Sequence, residues 1–130
     1  MKQSVVLCYN LDDKRASAIR LAAMRLKIRM RPVALEEYAL TIAALCGMEP
    51  AGGQVYEGEG FADEMLVMAN FPAGMMNAFL QTMRSMKIAP VALKAMLTPT
   101  NSTWDSVKLH EEIAAEHAAM NSGETSVHQN

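Results

Sequence analysis

The sequence predicts an α/β domain: a four-stranded, mainly parallel sheet of order 2-1-3-4 with helices on both faces, in the alternation βαβαβαβα. Two observations predict it. Short apolar runs at about 4–10, 28–33, 64–71 and 90–98 are separated by segments whose apolar residues change to a helical period. Those intervening segments are also long enough to cross back over a sheet, and right-handed crossovers make the strands they join parallel. The alternative is a ferredoxin-like α+β sheet with an added helix. It needs a third strand antiparallel to the second, and a long buried second helix between those strands argues against it.

The first run, "SVVLCYN" at 4–10, is continuous and β-branched, as suits a strand covered on both faces. In "LDDKRASAIRLAAMRLKI", Ile19, Ala22, Ala23 and Leu26 share a helical face, and Asp12 is placed to cap its start. "IRMRPVA" turns Ile28 and Met30 inward and Arg29 and Arg31 outward, and Pro32 suits an edge strand. "LEEYALTIAALCGM" reads as a buried helix with Glu36 and Glu37 in its first turn and Gly47 at its stop. Five of the seven glycines fall between Gly47 and Gly60, marking a loop at about 48–62. "EMLVMANF" is the third strand, and Pro72 opens the next helix. There Met75, Met76, Phe79, Leu80, Met83 and Met86 recur at helical spacing and read as core. "PVALKAMLT" is the fourth strand, and "PTNS" leads into the helix "TWDSVKLHEEIAAEHAAM" with Ser102 or Thr103 at its cap. Residues 1–120 are read as one domain and 121–130 as a disordered tail.

Of the 130 residues 51% are apolar, enough to form a core without metal or disulfides, and 20% are charged, which argues against global disorder. Cys8 and Cys46 lie in apolar runs and read as free, buried thiols. No run approaches the roughly 18 apolar residues of a membrane span, and the five-residue apolar run near the start reads as too short for a secretory leader. The expected compartment is the cytoplasm, with no membrane partner. Net charge is −2, but residues 1–31 carry eight of the twelve basic residues and sum to +6, leaving −8 on the rest. Such a division points to a homo-oligomer, a protein partner or a small anion. The basic stripe Arg25, Lys27, Arg29, Arg31 has no interleaved aromatic for base stacking, so nucleic acid is not the expected partner.

Two resemblances come from these elements. "EMLVMANF", and especially "LKAMLTPTNSTWD" followed by "HEEIAAEH", resembles a bacterial family known as domain of unknown function 3783, which implies a label and no activity. More loosely, "VVLCYNLDDKRASAIRLAAM", "MLVMANFPAGMMNAFLQTMR" and "APVALKAMLT" are similar in spacing to the flavodoxin-like receiver domains. That likeness implies an acidic pair at Asp12 and Asp13, but Asn70 stands where receivers carry the phosphorylated aspartate, and its neutral amide is no phosphoryl acceptor.

The candidate site is a ligand-binding one at the carboxyl ends of the strands, where open α/β sheets take their ligands. Lys94 lies inside an apolar strand, and a buried ammonium must find a partner. Thr98, Thr100 and Asn101 supply hydroxyls and an amide beside a helix start, Trp104 a stacking surface, and Asn10 and Asp12 the opposite wall of the cleft. His110 and His117 are seven positions apart, about 10 Å along a helix, too far to share a metal, and they read as a solvated acidic face. No catalytic residue, metal or cofactor is expected. The functional expectation is an interaction or regulatory module without catalysis of its own; the alternative is a small-anion or nucleotide-binding protein using Lys94 and Asn101.

Overall fold

The computed structural model describes residues 3–129, with side chains as far as 120. The tail expected at 121–130 lies outside the described side chains. The elements are β1 (Val5–Tyr9), α1 (Asp13–Arg25), β2 (Arg29–Pro32), a 3-10 turn (Leu35–Glu37), α2 (Ile42–Leu45), β3 (Met65–Ala69), α3 (Met75–Ser85), β4 (Leu93–Met96), a second 3-10 turn (Asn101–Thr103) and α4 (Ser106–Gln129). The sheet order is β2-β1-β3-β4, as expected. Its two faces carry separate cores, because successive side chains of a strand point to opposite sides. Val6, Cys8, Leu66 and Met68 pack with Ile19 and Ala23 of α1 and Phe79 and Met83 of α3. Val5, Leu7, Tyr9 and Val67 pack with Tyr38, with Ile42 of α2 and with Leu109 of α4.

The sheet is mixed, not mainly parallel. β1 and β2 are parallel and so are β3 and β4, but β1 and β3 pair antiparallel in the middle. The alternative's antiparallel third strand is therefore present, although each βαβ unit keeps its two strands adjacent and is not split as in a ferredoxin-like sheet. The all-parallel receiver likeness is not met either. The reason lies in residues 33–64. The expected long second helix is a 3-10 turn and a single helical turn, Ile42–Leu45, capped by Thr41 and ended by Gly47 at φ 78°. So short a helix does not carry the chain back along the sheet, and β3 enters from the end where β1 leaves, with Met65 opposite Tyr9.

Each half closes the same way. Asn10 and Asn70, sixty positions apart, both end a central strand with positive φ, at 62° and 60°. Lys27 and Lys87, also sixty apart, follow α1 and α3 at φ 59°. Both helix ends are Schellman motifs: the Ile28 and Ile88 amides donate to the carbonyls of Ala23 and Met83, and those of Lys27 and Lys87 to Met24 and Arg84. Asn10 Nδ2 donates to the Asp63 carbonyl at 2.9 Å, and Asn70 Nδ2 to that of Gln3 at 3.2 Å, again sixty positions on. Leu7 pairs with Val67, Val5 with Ala69 and Tyr9 with Met65, so a pseudo-twofold axis passes through the Leu7–Val67 pair.

The expected Asp12 cap is present, its carboxylate accepting from the Arg15 amide at 2.8 Å. The cap of α4 is Asp105, which accepts from the Lys108 amide at 2.9 Å, rather than Ser102 or Thr103, whose hydroxyls donate to Pro99 and Thr100. The charge division is partly neutralised within the chain. Arg15 forks onto Glu64 at 2.6 and 2.9 Å, and Arg31 onto Glu37 at 3.2 and 2.9 Å. The Arg31 guanidinium holds the Glu37 carboxyl below its ordinary range. Lys27, turned into the left-handed region, also breaks the expected stripe from Arg25 to Arg31.

Candidate functional site

At the carboxyl ends of β3 and β4 the chain turns away from the sheet twice, and a cleft opens between the turns. After Ala69, Asn70 bends the chain toward Pro72; after Met96, Leu97 still reaches back to the Met68 carbonyl at 2.8 Å before Thr98 turns. Met48 arrives from the end of α2, where its amide donates to the Ala43 carbonyl. The cleft has a volume of about 380 Å³ and is lined chiefly by Met48, Met68, Phe71, Met96, Leu97 and Thr98. Met48 and Met96 stand at its mouth, 43% and 37% exposed. Its polar neighbours are engaged: Asn70 donates to Gln3, and the Asn70 carbonyl accepts from the Ser4 hydroxyl at 2.8 Å.

The seven residues singled out in the sequence do not form one site. Thr98 and Asn101 meet in the turn after β4. Asn101, buried, accepts from the Thr98 amide at 2.8 Å, donates to the Met96 carbonyl at 3.0 Å, and through its own amide donates to the Thr98 hydroxyl. Thr100 is exposed and its carbonyl accepts from Thr103. Trp104 is half-buried against the core of the α4 face, its carbonyl accepts from the Ile42 amide, and the Lys108 ammonium lies 5.0 Å above its ring. Lys94 points to the other face, beside Leu80, Met83 and Arg84, and its ammonium donates to the Val91 carbonyl. Asn10 and Asp12 cannot be the opposite wall. Antiparallel pairing puts the carboxyl end of β1 level with Leu93, at the far end of β4 from Thr98.

That far end carries a cluster the sequence reading missed. The glycine-rich loop lays Tyr56 and Phe61 over Tyr38, at 5.7 and 5.0 Å between ring centroids, and Phe61 also meets Tyr9 at 5.6 Å. His110, expected on a solvated face, stacks on Phe61 at 3.9 Å with its side chain only 16% exposed, and its Nε2 meets Asp63 Oδ2 at 2.8 Å. Asn10 ties the loop down by donating to the Phe61 carbonyl at 2.7 Å. At Gly60, φ is 67° and an added Cβ would come within 2.8 Å of Leu35 and Tyr38, so glycine is required there. The available sign was the setting of Tyr56 and Phe61 among these glycines. The Tyr9 hydroxyl, 2.7 Å from that of Ser106, lies in the core, and burial pushes its pKa up.

Of the two thiols, Cys8 is enclosed and Cys46 half-buried. Cys8 and Cys46 are free, and burial raises their thiols to about 12 and about 11, far from the thiolate a nucleophile or a metal ligand requires. Among the described residues no group of three His, Cys, Asp or Glu side chains is placed to hold a metal ion. Nor is any helix there long and apolar enough to cross a membrane.

Residues 64–120 match the model of a family described as a domain of unknown function (DUF3783). The match takes in the second βαβ half and α4 with the Thr98–Asn101 turn, and leaves the first half outside. No curated protein and no solved structure matches the chain.

Proposed function

We propose that this chain is a small cytoplasmic interaction or regulatory module without catalysis of its own, and that it associates with a second copy of itself. The observation that carries this reading is the methionine-lined cleft, with Met48 and Met96 exposed at its mouth over Met68, Phe71 and Leu97. Unbranched thioether side chains adapt to an incoming apolar surface at small rotamer cost, and they are over-used where proteins bind one another. The unpaired thiols suit a reducing compartment. The small-anion alternative has less support, because the Asn101 amide and the Thr98 hydroxyl are both used within their own turn and Lys94 faces the other side of the sheet.

Sedimentation velocity over a range of concentration tests the proposal. The native chain is expected to sediment faster as concentration rises, and Met48→Glu with Met96→Glu to weaken that shift at least tenfold. A boundary of one copy at every concentration would overturn the reading.

A further inference from the structure

Two exposed helical stripes have no partner among the described residues, and they are complementary. On α1, Ser17, Arg20, Leu21 and Met24 recur at the i, i+3, i+4, i+7 spacing of one helix face. Leu21 and Met24 are 55% and 63% exposed, among the most exposed large apolar side chains of the molecule. Arg20 and, one step round the helix, Arg25 flank them, and both are exposed. On α4 the same spacing gives Glu112, Ala115, Glu116 and Ala119, and from Ala115 to Met120 every residue is exposed. His117 there still borders a cleft with Pro90 and Leu93, while Ala115, Glu116 and Ala119 face outward. Among the described residues Glu112 pairs with Lys108 at 3.6 Å, and that pair is about half exposed on both sides and so contributes little.

We infer that the α1 stripe of one copy receives the α4 stripe of another, Leu21 and Met24 seating over Ala115 and Ala119 while Arg20 and Arg25 meet Glu116 and Glu112. The inference rests on the self-association proposed above and adds to the methionine cleft a second pair of surfaces that contribute to it. Small alanines on one helix let the larger side chains of the other enter between its ridges, as close helix packing requires. Opposite charge on the two stripes favours their pairing over that of like stripes. The contact cannot form within one chain, because α1 packs on the sheet face of Val6 and Leu66 and α4 on the opposite face, with Leu7 and Val67.

Charge reversal on the full chain tests this. Arg20→Glu with Arg25→Glu makes both stripes negative, and Glu112→Arg with Glu116→Arg makes both positive. All four residues are exposed, so circular dichroism and melting should match the native chain. Each variant alone is expected to associate at least tenfold more weakly, and an equimolar mixture to recover native association, since every contact between unlike variants then joins opposite charges. Association of the native chain should also weaken as salt rises from 50 to 500 mM, a reading that stands even if a variant fails to fold. If both variants associate as the native chain does, or the mixture gains nothing, or salt has no effect, the stripes are not the contact. Loss in the Met48 and Met96 variant with the reversed variants unaffected would overturn this inference and leave the proposed function standing. A native chain that stays single at every concentration would overturn both.

Discussion

Asn101 shows how a polar side chain that looks available in sequence is consumed by its own turn. It is 8% exposed and closes three hydrogen bonds between the end of β4 and the second 3-10 turn. Truncation to alanine leaves the Thr98 amide and the Met96 carbonyl without that partner. Both groups are only part-buried, so each loss falls at the low end of about 1–3 kcal/mol. Asn101→Ala is therefore expected to lower stability by about 2 kcal/mol in urea unfolding; an unchanged midpoint would show that water replaces the amide without loss. Lys94 raised the opposite question, what an ammonium meets inside a strand. It meets a carbonyl three residues back, reached along the apolar side chains of α3, which a strand alternation does not specify. Asp12 was legible because capping depends only on neighbours in sequence. His110 was not, since its partners Phe61 and Asp63 come from a loop almost fifty positions away.

At the scale of elements, the strands and α1 and α3 were legible because each carries its own period. The second helix was not. Apolar density from Tyr38 to Cys46 arises there from an irregular stretch and one helical turn packed into the core of the α4 face, and density does not distinguish that from a long buried helix. The paired helix ends after α1 and α3 offer a direct test. Lys27 and Lys87 occupy the left-handed position that glycine fills at lowest cost in a Schellman motif. Lys27→Gly and Lys87→Gly are each expected to stabilise the chain by about 1 kcal/mol, the order of the left-handed penalty for a residue with a Cβ. Thermal unfolding reads this, and a fall in melting temperature would show that the lysine side chains contribute more than their backbone strain.

For the whole molecule, strand order was readable from which runs look like edges, but direction was not, because it depends on whether the connection between halves travels along the sheet or stays at one end. The sixty-residue period of Asn10 and Asn70 and of the Lys-Ile pairs at 27–28 and 87–88 was the sign that the halves are alike and could face each other across an axis. That axis has a consequence in time. Within each half the parallel pair joins residues 24 or 28 positions apart, Val5 with Arg29 and Met65 with Leu93, whereas the axial pair of Leu7 and Val67 joins residues sixty apart. Closing the longer loop costs about 0.8 kcal/mol more in chain entropy, and it gains the central ladder only when two partly formed halves are present to meet. The halves are therefore expected to form before they dock. In stopped-flow folding, Val67→Ala at the axis should mainly speed unfolding, while Ile19→Val inside the first half should slow folding; the reverse pattern would mean that the chain begins to fold at its centre and that the two halves grow outward from the seam.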